Sequence, residues 1–341
     1  MVGRPLWERK VPGSSPGAPI SIMTNIETPV CPYLTFFHRS CRGEESVGGK
    51  AHTMLSSAIE APVSFSSLIL SPRDPLHPGD CLLTEVQVCV SGVWSKFYKL
   101  GCLSEKSNHS FDAQEDEYAR VCTDVLTLKA PAQAYRFRLT TEKQTGAPDV
   151  FVCLTDTLAA YVPEAAVLPE GMRRIPVSPV SQMRLNVSEE DRKRLCSPSS
   201  LCMALNALGI KADPLQTAAA VYDDHACIYG NWMFNTAYAC ARGCEAFVTR
   251  FQKLEQLKEF LTPQSLVVAS IGYGRGELTG AAVAHTPGHL VLLCGWESGK
   301  LRVADPAAAT EKEVIRFYDA AEFARAWLQN KRGAAYLVRK R

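Results

Sequence analysis

The hydrophobic period of this chain changes near residue 180, and this change constrains the fold more than any other feature. From about 61 to 160, apolar and polar side chains alternate in short runs separated by turn-rich segments such as "SPRDPLHPGD". A period of two with one polar face predicts half-buried antiparallel strands, here in an all-β, sandwich-like domain. The alternating apolar residues are Val86, Val88 and Val90 in "TEVQVCV" and Tyr135, Phe137 and Leu139 in "AYRFRLTTE".

The second half of the chain has a helical period first and strands afterwards. Apolar residues at i, i+3, i+4 and i+7 predict a helix over 197–208 that ends at Gly209. Helices before antiparallel strands indicate an α+β domain. Further helices are predicted at 214–222, 233–242 and 253–261, and strands at 265–271, 289–296, 300–306 and 334–340.

These textures predict four regions. Residues 1–30 contain a Pro/Gly/Ser-rich stretch and are expected to be disordered. The β-sandwich-like accessory domain is placed at 31–162. A proline-rich linker or strap follows at 163–180, and the α+β domain occupies 181–341.

Composition restricts the partners and the compartment. The formal net charge is +2 in 341 residues, without a long basic block, so a nucleic-acid partner is not expected. No apolar run approaches the length of a membrane span. The thirteen cysteines lack the spacing of a disulfide framework, and no export signal is visible. We therefore expect a reducing, cytoplasmic location.

Cys196 precedes the predicted helix 197–208 in "RLCSPSSLCMALNALGI". Pro198 suits a first helical turn because it has no N–H group to leave unpaired. The exposed amides of that turn stabilise a thiolate and lower its pKa. From this stretch alone, Cys196 is either a nucleophile or a packed thiol that happens to begin a helix, whereas Cys202 lies farther inside the helix and gains less.

Three other residues can complete a catalytic site. His289 enters the buried strand "HLVLLCGW", and Asp305 ends the next strand, sixteen residues later. A hairpin of these strands brings the acid beside the imidazole, where it can orient the ring. Gln182, fourteen residues before Cys196, is a candidate side-chain donor to an oxyanion. Taken singly, His289 can be a structural histidine and Asp305 a turn residue.

Residues 230–243 and 288 are candidates for substrate contact. Trp232 and Asn235 can form the wall of a peptide or sugar site, or else Asn235 caps a helix and Trp232 packs in the core. Gly288 permits close approach to His289. The glycines of "IGYGRGEL" indicate a flexible loop near the cleft. Zinc is not expected, because Pro287 and Gly288 prevent a helix from presenting His285 and His289 together.

The segments "LCSPSSLCMAL", "YGNWMFNTAYA", "GHLVLLCGW" and "VADPAA" resemble, in this order, the C39-like cysteine peptidases, a papain-like family. The resemblance runs from about 176 to the C-terminus, and the β-rich region resembles a module that precedes the catalytic domain in some members. It implies a helix bearing Cys196 packed on an antiparallel sheet, and no cofactor. It also implies Cys196 as nucleophile, His289 as base and acid, Asp305 as orienting residue and Gln182 at the oxyanion hole. Ser197 stands where the family usually has glycine.

These residues predict a thiol hydrolase that cleaves a peptide or other amide bond through an acyl-thioester. An acyltransferase or deamidase would use the same triad and differ only in the acceptor. The alternative from another class is a non-catalytic binding protein on the same fold.

Overall fold

A computed structural model describes residues 33–38, 43–48, 51–73, 79–142, 149–159 and 166–341. The segment predicted to be disordered, 1–30, lies outside these residues.

The first half of the chain is a single antiparallel sheet in the residues that are described. Its hydrogen-bonded order is β1-β11-β4-β10-β5-β7-β8, with β3 and β9 also paired to β10, β2 to β3 and β6 to β5. The strands are β1 (Tyr33–His38), β2 (Gly43–Gly48), β3 (Ala51–Ser56), β4 (Ile59–Pro72), β5 (Cys81–Val90), β6 (Val93–Trp94), β7 (Tyr98–Ser104), β8 (His109–Ser110), β9 (Ala119–Cys122), β10 (Val125–Thr141) and β11 (Val150–Thr155).

The predicted alternation is present in the two central strands. Val86 lies opposite Phe137, and both side chains are fully buried. On the other face Arg138 lies opposite Glu85 and donates to both of its carboxylate oxygens, at 2.6 and 2.8 Å. Glu85 is itself only 4% exposed, so the polar face is covered by paired charges.

The second half has the predicted α+β composition, with its sheet in the order β13-β18-β14-β15-β16-β17 and β12 paired to β15. The strands are β12 (Arg173–Arg174), β13 (Cys244–Arg250), β14 (Ser265–Tyr273), β15 (Thr286–Glu297), β16 (Lys300–Ala304), β17 (Ile315–Asp319) and β18 (Ala334–Lys340). The helices are α1 (Glu189–Arg192), α2 (Cys196–Ala207), α3 (Pro214–Val221), α4 (Trp232–Ala241), α5 (Leu257–Phe260) and α6 (Ala320–Ala324), the last continued by a π-helical turn, Arg325–Gln329.

Among the elements that differ from the sequence prediction, two lie between α4 and β14. The helix expected at 253–261 is a 3₁₀ turn (Leu254–Gln256) followed by the single turn α5, because the chain becomes extended at Leu261. Strand β13 was not predicted. All of its residues except the last are buried, so it lacks the polar alternation that marks a half-exposed strand.

Helix α2 packs against β15, a strand of the second sheet. The Ser200 hydroxyl donates to the carbonyl of Leu290 at 3.0 Å, which ties the helix to the strand. Gly209 ends the helix with a left-handed φ of +79°, and the N–H of Ile210 donates back to the carbonyl of Leu205. This is a Schellman ending, which glycine permits without steric cost.

The region predicted as a linker also contributes to the second sheet. Strand β12, within the expected strap at 163–180, pairs with β15, and the N–H of Ile175 donates to the carbonyl of Cys294 at 2.8 Å. Part of this segment therefore belongs to the second sheet and is not a free connection.

The sequence did not predict a disulfide, yet Cys81 of β5 is bonded to Cys102 of β7. The two strands are paired, and Leu83, two residues after Cys81, lies opposite Cys102. The pairing follows from strand register, which the cysteine spacing alone does not reveal. Cys196 and Cys202 are free thiols.

Candidate active site

Cys196 is the first residue of α2, at the N1 position. Leu195, at the N-cap, offers no side-chain hydrogen bond to the first turn. The amide of an N1 residue has no partner within its own helix, so it remains available to an anion. The thiol therefore lies at the electropositive end of a helix, as the sequence predicted.

His289 lies on β15, next to α2, and is 5% exposed. Its Nε2 lies 2.8 Å from Oδ1 of Asp305, which immediately follows β16. The same carboxylate accepts the N–H of Ala307 at 2.9 Å and the hydroxyl of Tyr318 at 2.7 Å. Because Nε2 is committed to Asp305, Nδ1 is the ring nitrogen left for the Cys196 thiol.

The electrostatics of Cys196 and His289 favour an ion pair. Burial of the thiol opposes its ionisation, but the hydrogen bond and charge of His289 outweigh it and lower the pKa of Cys196. Burial favours a neutral imidazole, but the charge and hydrogen bond of Asp305, aided by Cys196, raise the pKa of His289 to about 10. Between the lowered pKa of Cys196 and the raised pKa of His289, the stable arrangement is thiolate and imidazolium.

Asp305 and Cys202 are two buried groups whose pKa values shift for different reasons. Burial opposes the ionisation of Asp305, but the charge and hydrogen bond of His289 hold its pKa below the usual value. Burial raises the pKa of Cys202 to about 12, with no cation to offset it. The pKa values of the two thiols of α2 are therefore shifted in opposite directions.

Gln182 is buried at the start of a 3₁₀ turn, Gln182–Arg184. Its backbone N–H donates to the carbonyl of Pro306 at 2.8 Å, so it lies beside the Asp305 end of β16. Its side-chain Nε2 donates to the carbonyl of Arg192 at 2.6 Å, four residues before Cys196. A side-chain amide carries two N–H groups, so one remains for another acceptor.

The predicted substrate residues occupy different environments. Asn235 is 1% exposed, and its amide accepts from the Ser197 hydroxyl and donates to two backbone carbonyls, so it faces the interior rather than an open wall. Trp232 is half-buried, edge-on to Tyr336 at 6.2 Å between ring centroids. Asn231, not Asn235, caps α4, because its side chain accepts the N–H of Phe234. Gly288 is exposed.

Three residues around the site were not predicted. Tyr318 of β17 reaches Asp305, and the Tyr336 hydroxyl donates to the carbonyl of Ser197 at 3.4 Å. Asp124, from the first half of the chain, contacts the start of α4. The sequence signal for Tyr318 is the short run "IRFYD" after Asp305, which indicates a strand that follows β16.

Within the part of the chain that the structure describes, no three His, Cys, Asp or Glu side chains gather as a metal site. His285 is exposed on the loop before β15. None of the helices in the described residues is long and apolar enough to cross a membrane.

Comparison with known proteins identifies both halves of the chain. Residues 174–335 match the peptidase C39-like family, and residues 47–153 match the peptidase C39 N-terminal domain. No curated protein matches the chain.

Several solved structures are similar to the chain. The double glycine motif protease of an AMS/PCAT transporter, in complex with its leader peptide, is 18% identical, with 51% of this chain and 97% of that chain covered and a TM-score of 0.36. The peptidase domain of Streptococcus ComA, a bifunctional ABC transporter, is 14% identical, with coverages of 49% and 99% and a TM-score of 0.34. A C39-like peptidase from Bacillus anthracis is 16% identical, with coverages of 50% and 99% and a TM-score of 0.38. On the family matches, residues 174–335 belong to the peptidase C39-like family, and a peptidase C39 N-terminal domain precedes them in the same chain.

Proposed function

We propose that this chain is a cysteine peptidase that cleaves a peptide or related amide bond through Cys196, His289 and Asp305. The observation that carries the proposal is the buried 2.8 Å contact between His289 and Asp305 beside a thiol whose pKa is lowered. A buried histidine held by a carboxylate and next to an activated thiol is the arrangement that thiol acyl transfer requires. The helix bearing Cys196 on an antiparallel sheet agrees with a papain-like arrangement.

The proposed reaction begins with the ion pair. The Cys196 thiolate attacks the substrate carbonyl carbon, and a carbon–sulfur bond forms as the carbonyl electrons move to oxygen. The Cys196 N–H and the remaining N–H of the Gln182 side chain stabilise this oxyanion. His289 then gives its proton to the leaving nitrogen, the carbon–nitrogen bond breaks, and a thioester remains.

Hydrolysis of the thioester restores the enzyme. Neutral His289 takes a proton from water, and the resulting hydroxide attacks the thioester carbon. The carbon–sulfur bond breaks and releases the carboxylic acid and the thiolate, now again beside an imidazolium. Asp305 keeps the ring oriented throughout and stabilises its charged form.

Site-resolved alkylation of the full-length protein with iodoacetamide tests this proposal. Cys122 and Cys227 are exposed thiols and serve as internal references. At about pH 6 we expect Cys196 to react at least about tenfold faster than either, because its thiolate persists below the ordinary thiol pKa. Mass spectrometry of the digested protein gives the rate for each cysteine.

The matched variants are Cys196→Ala and Cys202→Ala, which change two thiols of the same helix. Hydrolysis of a peptide library is expected to disappear in the first and to persist in the second. It should also decline at low pH, as Cys196 is protonated, and at high pH, as His289 loses its proton near its pKa of about 10. Equal alkylation of Cys196 and Cys122, together with no hydrolysis by the unmodified protein, would support a non-catalytic binding protein instead. Unchanged hydrolysis by Cys196→Ala would show that Cys196 is not the nucleophile.

A further inference from the structure

Asp124 of the N-terminal domain reaches the first turn of helix α4 in the peptidase domain. It lies in the turn between β9 and β10 and is 1% exposed. Its Oδ2 accepts the backbone N–H of Met233, the second residue of α4, at 2.8 Å. A buried carboxylate of one domain thus forms a hydrogen bond to the helix of the other.

The first N–H groups of a helix have no partner within the helix, so each needs an acceptor from elsewhere. In α4 the side chain of Asn231 accepts the N–H of Phe234. The carboxylate of Asp124 accepts from Met233 and also interacts with the N–H of Trp232. The start of α4 is therefore completed by a residue 109 positions away in the sequence.

A second set of contacts holds the segment just before α4 to the same domain. The Asn231 side chain donates to Oδ2 of Asp223 at 3.0 Å, and Oδ1 of Asp223 accepts the N–H of Ser110 at 3.1 Å. The Asn108 side chain donates to the carbonyl of Ala220 at 2.8 Å. Both Asn108 and Ser110 belong to the N-terminal domain, so the helix cap is itself supported from there.

Helix α4 in turn holds the residue next to the nucleophile. Asn235, one turn into α4, accepts the Ser197 hydroxyl through Oδ1 at 2.9 Å. Its Nδ2 is fixed by the carbonyls of Asn231 and Tyr229, at 2.7 and 2.9 Å. The backbone N–H of Ser197 is among the groups that stabilise the Cys196 thiolate. The contacts therefore run from Asp124 through α4 to the nucleophile.

We propose that the N-terminal domain positions the nucleophile, with Asp124 as the positioning residue that acts through α4, Asn235 and Ser197. The inference rests on the proposed function, since it takes Cys196 as the reactive thiol. It assigns the N-terminal domain a part in the activity of the peptidase domain in addition to any role in binding.

The test compares three variants of the full-length protein. Asp124→Ala leaves the amides of α4 without their acceptor, whereas Asp124→Asn keeps one acceptor oxygen. Asp112→Ala is the matched control, because exposed Asp112 accepts the N–H of Thr123 in the same turn without touching α4. The readouts are the alkylation rate of Cys196 by iodoacetamide as a function of pH and hydrogen exchange of the Trp232 and Met233 amides.

We expect Asp124→Ala to slow alkylation of Cys196 at about pH 6 by on the order of tenfold and to move its pH midpoint upward. Exchange at Trp232 and Met233 should become faster. Asp124→Asn and Asp112→Ala should stay within about twofold of the unmodified protein. A folded Asp124→Ala with unchanged Cys196 reactivity overturns the proposal, as does an equal loss in Asp112→Ala.

The route through Ser197 is tested by introducing Asp124→Ala into a Ser197→Ala background, where it should change the alkylation rate by a factor of only about one. A tenfold effect that persists there overturns the route. If Asp124→Ala does not fold, Gly101→Val replaces it, because a Cβ at Gly101 lies 3.2 Å from Met233 and Phe234. Unchanged alkylation of Cys196 in folded Gly101→Val then rejects the coupling. Failure of the proposed function is distinct, since Cys196 would already be unreactive in the unmodified protein.

Discussion

The carboxylate of Asp305 is fully buried and accepts hydrogen bonds from three groups. His289 and the N–H of Ala307 share Oδ1, and the Tyr318 hydroxyl donates to Oδ2 at 2.7 Å. A carboxylate held at both oxygens cannot rotate, so it imposes one orientation on the imidazole. The orientation of His289 therefore depends on a residue that is fully buried.

We expect Tyr318→Phe to reduce the reactivity of Cys196 by several-fold. The substitution removes one hydrogen bond to a buried charge, which costs on the order of 2 kcal/mol in stability and lets the carboxylate move. Alkylation kinetics of Cys196 and urea unfolding measure the two effects.

Tyr98→Phe is the matched control, because buried Tyr98 also donates to a carboxylate, Oδ1 of Asp116, at 2.6 Å. It lies in the N-terminal domain. We expect a similar loss of stability without a change at Cys196. If both variants slow alkylation equally, Tyr318 contributes only general stability.

How far the site could be predicted depends on the separation of its parts. The pairing of His289 with Asp305 follows from two consecutive strands, a short-range arrangement that sequence spacing encodes. Tyr318 lies on the next strand, and its inward direction depends on the register of β16 with β17. The burial of Asn235 depends on what packs over α4. The sequence around Asn235 therefore allowed both a substrate-binding wall and a buried position in the core.

Gly295 is the residue that lets the strap, 163–180, join the second sheet. Its φ is +152°, and a Cβ there would lie 2.0 Å from the carbonyl oxygen of Arg173 in β12. No side chain can occupy that space unless β12 moves away from β15. The close approach of the two strands therefore requires glycine.

We predict that Gly295→Ala separates β12 from β15 and lowers the unfolding free energy by about 3 kcal/mol or more. The Ile175 amide, which donates to Cys294, should then exchange with solvent faster. Gly299→Ala is the control, since φ at Gly299 is +74° but a Cβ would meet open space among the described residues. Its cost should be only about 1 kcal/mol, from backbone strain. Equal losses in both variants would show that the contact with Arg173 does not matter.

Two helices show when a local sequence pattern is sufficient to predict where a helix ends. Helix α2 ends at Ala207 before Gly209, close to its prediction, because an apolar stripe and a glycine stop coincide. The helix expected at 253–261 is shorter because the chain must turn extended to enter β14. The tertiary structure therefore shortens this helix, although its hydrophobic period is helical.

The two domains meet at an interface that buries both apolar and polar groups. Phe151 of β11 stacks on Phe247 of β13 at 4.2 Å between ring centroids. The guanidinium of Arg332 donates to the carbonyls of Asp156 and Thr157, at 3.1 and 3.0 Å. The two domains therefore share one core, and substitutions at this interface should affect the stability of both.

Asp124 makes that stability depend on pH. Burial, aided by the nearby charge of Asp223 and opposed by the amides of α4, raises the pKa of Asp124 to about 7. The folded protein thus retains a proton that the unfolded chain loses near pH 4, so the contribution of Asp124 to stability is full below about pH 4 and falls as pH rises toward about 7.

We expect Asp124→Asn to remove this loss. The difference in unfolding free energy between the variant and the unmodified protein should increase by about 1 kcal/mol per pH unit between about pH 4 and pH 7. Urea unfolding at several pH values measures it, with Asp112→Ala as the exposed control. A difference independent of pH would mean that Asp124 is ionised in the folded protein throughout this range.

Three local features could be predicted from the sequence: the alternating strands, a helix directly after Cys196, and the order of a thiol, a histidine and an acid along the chain. Each of these depends on periodicity or on neighbouring strands, which short stretches encode. Four other features become visible only when the chain is folded: the disulfide, the third donor to Asp305, the inward side of α4 and the contact of Asp124 with Met233. These join residues whose proximity results from sheet register and domain packing, and a side chain's spacing along the chain carries no information about either.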